Sequence, residues 1–166
     1  TQLPIVEEIK LALINADFQT GPLPADVMRD VIAAPAYWAF CWGSGIALAR
    51  WLLSSSEFVA NKRIADVGCG CGIGAIAAKL AGASEVVACD NNADALMITR
   101  ANAQLNSVEL AYANDVANLE GDFDLVLMAD VLYDKSNYSL LQTVKELATT
   151  IIVADSRIRS IDDPTF

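Results

Sequence analysis

Residues 63–81 constrain the fold more than any other stretch of this chain. A short apolar segment, Arg63-Ile64-Ala65, runs into Asp66-Val67-Gly68-Cys69-Gly70-Cys71-Gly72-Ile73-Gly74 and on into Ala75-Ile76-Ala77-Ala78-Lys79-Leu80-Ala81. This order reads as strand, glycine-rich turn and helix. Without Cβ atoms the turn lets a ligand approach the backbone, and the N–H groups of a helix start face that ligand. It is the arrangement of an adenosyl-cofactor site, although a tight turn with no ligand needs glycines too. The dinucleotide fingerprint G-x-G-x-x-G uses its third glycine to pack the helix on the strand. Gly68 and Gly70 fit its first two positions, but the third falls on Ile73, and the glycines run Gly68, Gly70, Gly72.

The next segment supports a ligand. Glu85-Val86-Val87-Ala88-Cys89-Asp90 reads as a buried strand ending in a carboxylate, 18 residues beyond Gly72. A carboxylate at that tip can accept hydrogen bonds from both ribose hydroxyls; the alternative is a solvated strand-end aspartate. Asn91 and Asn92 open the following helix as caps and line the adenine side. Leu110-Ala111-Tyr112-Ala113 reads as a third strand, and Asn114-Asp115 after it is either a ligand contact or a turn pair.

The wider pattern alternates. Strands are expected at 63–67, 85–90, 109–113, 123–129 and 150–154, with helices at 74–81, 92–104 and 136–148, the last capped by Ser136. Alternation of this kind implies an α/β fold with a doubly wound, mostly parallel sheet. Ahead of it, residues 1–60 read as an N-terminal helical cap segment of the same domain, with 61–166 as the core. Pro4 to Ile14 is expected to be a helix, with Pro in its first turn and Ile5, Ile9 and Leu13 on one face. A loop at 21–24, a short helix at 25–33, an aromatic segment at 35–42 and a helix at 46–53 follow.

Composition bounds the function. The chain's 166 residues suffice for one domain with a proper core. Its 11 basic and 21 acidic residues, net charge −10, argue against sequence-independent nucleic-acid binding and favour a small-molecule or basic protein partner. No apolar run is long enough to span a bilayer, and the N-terminus does not read as a signal peptide. The chain has four cysteines and no histidine, so thiolate–histidine metal sites and Ser-His-Asp or Cys-His hydrolase chemistry fail. Cys41, Cys69, Cys71 and Cys89 read as reduced thiols of a cytoplasmic protein with no metal site.

The order Asp66-x-Gly68-x-Gly70-x-Gly72 resembles the first motif of the class I S-adenosylmethionine-dependent methyltransferases. The resemblance implies their Rossmann-like fold, with S-adenosylmethionine as cofactor and S-adenosylhomocysteine as product. It implies cofactor contacts from Asp66, Gly68, Gly70, Gly72, Asp90, Asn91 and Asp115, the last meeting the adenine amino group. Asp130-x-x-Tyr133, directly after the strand that ends in Ala129, is similar to the D-x-x-[FY] motif of the seven-strand protein lysine methyltransferases called methyltransferase family sixteen. Tyr37-Trp38-Ala39-Phe40-Cys41-Trp42-Gly43 and Ala47 to Leu52 look like that group's segment ahead of the first motif. They look most like the branch acting on the β subunit of electron transfer flavoprotein. That likeness puts Trp42 and Ala129 against the cofactor and gives Asp130 and Tyr133 the catalytic roles. The family's sixth and seventh strands have no counterpart after residue 155, which suggests a truncated chain.

The residue types suit the reaction. Methyl transfer is an in-line displacement, so the enzyme chiefly positions the nucleophile and excludes water. A lysine amine, with an ordinary pKa of ~10.4, arrives protonated. Asp130 would guide that ammonium while water takes the proton, and Tyr133 would wall the pocket. Asp130 could instead cap a helix, and Trp42 could be a core aromatic. Three functions fit: lysine methylation on a protein, methylation of a small amine or pyridine, and cofactor binding without activity.

Overall fold

The computed structural model describes residues 2–3, 5–14, 21–22, 24–33 and 35–161. The first surprise is at the N-terminus, where the expected helix is absent. Strands β1 (Gln2–Leu3) and β2 (Val6–Lys10) form an antiparallel pair instead. The physical reason lies ninety residues away. The Asn106 side chain accepts from the Lys10 N–H at 2.9 Å and donates to the Lys10 carbonyl at 2.7 Å, and Asn102 Oδ1 accepts from the Ala12 N–H at 2.7 Å. These amides satisfy an extended backbone that a helix would have satisfied internally. Val6, Ile9 and Leu11 are buried while Ile5 is exposed, so the face read as Ile5-Ile9-Leu13 is not the one that packs. Pro4 itself lies outside the described residues.

Two helices follow, α1 (Ala25–Ala33) and α2 (Gly43–Ser54), the second starting three residues before its expected position. The main sheet then builds as the alternation requires. Its strands are β3 (Arg63–Val67), β4 (Glu85–Cys89), β5 (Ala111–Ala113), β6 (Leu125–Ala129) and β7 (Ile151–Ala154). Their order across the sheet is β5-β4-β3-β6-β7, and all four pairings are parallel. Helices α3 (Ile73–Leu80), α4 (Ala93–Leu105) and α5 (Ser139–Leu147) provide the crossovers.

Both faces of the sheet are covered. Ile64, Val86, Leu125 and Leu127 pack with Leu48, Leu52, Ile76, Leu96 and the hairpin's Val6, Ile9 and Leu11. The opposite side chains of the same strands, Ala65, Val67, Val87, Val126 and Met128, pack with Leu119, Leu141 and Val144. Strands buried on both faces read as apolar runs, which is why β4 and β6 were legible, and β3 as Ile64-Ala65 and Val67 around the buried Asp66. Residues 135–138 form a short 3₁₀ turn ahead of α5. Its cap is Asp134, whose carboxylate accepts from the Ser136 N–H at 2.9 Å, not Ser136 as expected. β7 lies at the sheet edge, and each of its residues is partly exposed.

Candidate active site

The strand order reverses direction between β3 and β6, and in open α/β sheets the crevice beyond the carboxyl ends of the strands at that point is the usual ligand site. A cleft of about 340 Å³ opens there. Gly68, Gly70, Asp90, Asn91, Asn92, Asp115, Ala129, Asp130, Tyr133, Tyr37, Trp42 and Arg157 are among the residues that line it.

The glycine turn is fixed by its neighbours. Gly68 and Cys69 both donate their N–H to the Cys89 carbonyl, at 2.8 and 3.1 Å, which ties the turn to the end of β4. Gly68, Gly70 and Gly72 all have positive φ, a region that L side chains enter only with strain. Their surroundings differ. A Cβ on Gly70 would meet nothing within 4 Å, so this position faces open space in the cleft. A Cβ on Gly68 would fall 2.5 Å from Val131 Cγ2, and one on Gly72 would fall 2.6 Å from Thr99 Cγ2 on α4.

Gly72 does not line the cleft, whereas Asp66 lines a smaller recess beside it that shares Trp42, Gly68, Gly70, Ala129 and Asp130 with the cleft. Asp66 is buried beneath the turn, where its Oδ2 accepts from the Ala75 N–H at 2.8 Å and would lie 2.9 Å from a Cβ on Gly74. Burial pushes its pKa up to about 7, with Asp90 adding to the rise and the Ala75 hydrogen bond opposing it. Gly72 supports the turn from behind, against Thr99. Asn102 does the same: it is fully buried on α4 and donates to the Cys71 carbonyl at 2.8 Å.

Asp90 stands at the tip of β4. Its Oδ2 accepts from the Gly70 N–H at 2.9 Å and its Oδ1 from the Asn92 N–H at 3.0 Å. A carboxylate has about four acceptor positions, so each oxygen keeps one free for a hydroxyl. Asn92 caps α4 by accepting from Asp94 and Ala95. Asp115 at the end of β5 accepts from the Ala117 N–H at 2.8 Å, so it is both a turn residue and a cleft residue.

Asp130 follows β6 with φ +51, an uncommon value for a residue other than glycine. Its N–H donates to the Ala154 carbonyl at 2.8 Å, and its carboxylate reaches two other segments. Oδ2 accepts from the Ser44 N–H at 3.0 Å and Oδ1 from the Ser44 hydroxyl at 2.8 Å, which caps α2. Oδ1 also accepts from the Ser156 hydroxyl at 3.2 Å. Asp130 therefore does cap a helix, and it does so while lining the cleft.

Aromatic rings surround the mouth. Tyr37 stands edge-on to Trp42 at 6.1 Å and to Tyr133 at 5.2 Å, and Phe40 lies 6.0 Å from Trp42. Trp42 is no core residue: it is 37% exposed, and its indole N–H donates to the Tyr37 carbonyl at 2.9 Å. Burial raises the Tyr133 phenol above its ordinary 10, helped by Tyr37, Asp134 and Asp90 and opposed by Arg157, so the hydroxyl keeps its proton. Burial likewise pushes the Cys89 thiol up to about 12 and Cys69 well above its ordinary value. Among the described residues no group of three or more His, Cys, Asp or Glu side chains could hold a metal ion. Ser44, Asn102, Ser156 and Arg157 had no motif to mark them in the sequence.

The fold is that of Rossmann-like class I methyltransferases, and solved structures of that class superpose on the chain. The ribosomal protein L11 methylase of Lactobacillus delbrueckii subsp. bulgaricus matches with a TM-score of 0.57 and 28% identity, over 66% of this chain and 56% of that one. Residues 50–153 match the family model of ribosomal protein L11 methyltransferase (PrmA), and the chain belongs to that family. Among curated relatives, the electron transfer flavoprotein beta subunit lysine methyltransferase of Danio rerio is 42% identical over 103 residues, 60% of this chain and 40% of its own length. The protein of the same name from Homo sapiens is 41% identical over 102 residues, again 60% of this chain and 39% of its own length. The chain thus spans about 40% of the length of these two relatives.

Proposed function

We propose that the protein is an S-adenosylmethionine-dependent methyltransferase that methylates lysine side chains on a protein substrate. The observation that carries this is the juxtaposition of Gly70, Asp90 and Asp130 around one cleft. Gly70 leaves space where a side chain would stand, and Asp90 keeps an acceptor on each oxygen for a ribose. The cleft volume lies within the usual range for a ligand of nucleoside size. The residues fit the cofactor. Gly68 and Gly70 would lie along it, Asp90 would hold the ribose, and Asn91, Asn92 and Asp115 would border the adenine. When bound, the cofactor supplies an activated methyl group on a sulfonium.

The chain's own residues then position the acceptor. Asp130 favours a cation at the mouth, and Tyr133 donates a hydrogen bond without ionising. Asp130 already accepts from Ser44 and Ser156, so it suits guidance of an ammonium better than abstraction of its proton. Trp42 and Tyr37 exclude water from the same space. The names of the similar proteins, a lysine methyltransferase of a flavoprotein subunit and a methyltransferase of ribosomal protein L11, support a protein acceptor.

Titration with S-adenosylhomocysteine in a calorimeter tests the cofactor, and transfer of labelled methyl groups to proteins in a lysate tests the acceptor. Label on protein bands, mapped to lysine by mass spectrometry, is the expected result. Label confined to small amines or pyridines would move the reading to a small-molecule methyltransferase. Binding without any transfer would leave a cofactor-binding module.

A further inference from the structure

The cleft mouth already holds a cation. The Arg157 guanidinium lies 5.6 Å from the ring centre of Trp42 and 5.6 Å from that of Tyr133. Tyr37 stands edge-on to both rings and completes three sides of a cage. Among the described residues no carboxylate forms a salt bridge with Arg157, although the chain carries a large excess of acidic groups. The residue before it, Ser156, places its hydroxyl on Asp130 Oδ1. Two consecutive residues therefore take up the aromatic faces and the carboxylate that together would favour an ammonium.

We infer that Trp42, Tyr133 and Tyr37 form a cation subsite for the acceptor amine, and that the Ser156–Arg157 segment fills it until an acceptor displaces it. The inference rests on the methyl-transfer reading and adds to it how the acceptor is selected. Aromatic faces beside a carboxylate stabilise a positive group and give little to a neutral or anionic one. The segment is not held at its optimum: Asp155 Oδ2 is buried with no hydrogen-bond partner among the described residues, while Oδ1 accepts from the Arg157 N–H at 2.9 Å. An unsatisfied buried acceptor is costly, which lowers the cost of moving the segment aside. Occupation by Arg157 also weakens the apparent affinity for any other cation, in proportion to the fraction of molecules in which the cage is filled.

The experiment uses tetramethylammonium as the probe and the Trp42 indole N–H resonance as the signal, assigned with Trp42→Phe. Arg157→Gln keeps length and polarity but removes the charge, and Arg157→Lys restores a cation. Arg157→Gln is expected to bind tetramethylammonium about two- to fivefold more tightly than the parent, the range expected for an exposed cation–π contact. Arg157→Lys should return to the parent's weaker binding. Tert-butanol, neutral and of similar bulk, should not distinguish the three proteins. Equal affinity in parent and Arg157→Gln, or tert-butanol behaving like tetramethylammonium, would overturn the inference. Calorimetry with S-adenosylhomocysteine on the same preparations separates the two readings. Lost cofactor binding in the parent removes the methyltransferase reading, whereas retained cofactor binding with no cation discrimination removes the cage alone.

Discussion

Three glycines with positive φ carry three different duties, and alanine at each should separate them. At Gly70 the added methyl meets open cleft, so the fold loses only the backbone cost, about 1–2 kcal/mol, while the space for a ligand is taken. Gly70→Ala is therefore expected to weaken S-adenosylhomocysteine at least about tenfold, with a small fall in melting temperature. Gly72→Ala drives a methyl into Thr99, behind the turn, so its melting temperature should fall further while affinity falls less. Gly68→Ala should lose both, because its methyl would meet Val131 and the position also lines the cleft. Paired calorimetry and thermal melts check the order; a series in which affinity and stability fall together would erase the distinction. Asp66 gives a second test. Its folded pKa of about 7 lies above the ordinary 3.8, a gap worth on the order of 4 kcal/mol. The folded state therefore keeps a proton that the unfolded chain has lost. The stability associated with that proton is complete below about pH 4 and is lost as pH rises to about 7. Urea melts of the parent and Asp66→Asn should show the parent losing stability relative to the variant across that window and running parallel above it.

At the scale of elements, one helix organises parts of the molecule that the sequence separates widely. Asn102 on α4 accepts from Ala12 beyond the hairpin and donates to the Cys71 carbonyl of the glycine turn. Asn102→Ala leaves a backbone N–H and a carbonyl without partners, so a loss of about 2–4 kcal/mol is expected, together with weaker S-adenosylhomocysteine binding. Hydrogen exchange at the Ala12 amide reports the first effect and calorimetry the second. Unchanged exchange at Ala12 would show that the hairpin holds without this tether. The same contact explains what could be read in advance. The parallel strands were legible because burial on both faces writes apolar runs, and a parallel sheet places Gly68, Asp90, Ala129 and Asp130 at one end. The hairpin was not, because it is tethered by side chains on α4 and at its C-terminal cap, and no local periodicity records them. Asp66 and Gly72 were legible as a motif, but spacing does not say which side of the turn a residue supports: Gly72 packs on Thr99, and Asp66 lines the smaller recess beside the cleft. Ser44, Ser156 and Arg157 belong to no pattern and become visible only where α2, β6 and the segment after β7 meet at Asp130.

The whole molecule adds a field to this local geometry. Three aspartates, Asp90, Asp115 and Asp130, line the cleft against one arginine, within a chain of net charge −10. Both reactants of the proposed chemistry are cations, a sulfonium and an ammonium, whereas S-adenosylhomocysteine has lost the sulfonium charge. For that chemistry, a negative cleft in an acidic molecule would favour the reactants over that product and would attract basic surfaces over long range. Because the screening length shrinks from about 10 Å at 0.1 M salt to about 3 Å at 1 M, the long-range part should fade with salt and the contact part should not. For a lysine-containing basic peptide, kcat/KM is expected to fall several-fold between these conditions while kcat changes little. S-adenosylmethionine affinity should fall more steeply with salt than that of S-adenosylhomocysteine. Initial rates and calorimetry over a salt series measure both slopes. Equal slopes for the two cofactor forms would mean that the carboxylates act only through the short contacts seen at Asp90 and Asp130, and that the acidity of the chain serves solubility instead of recognition.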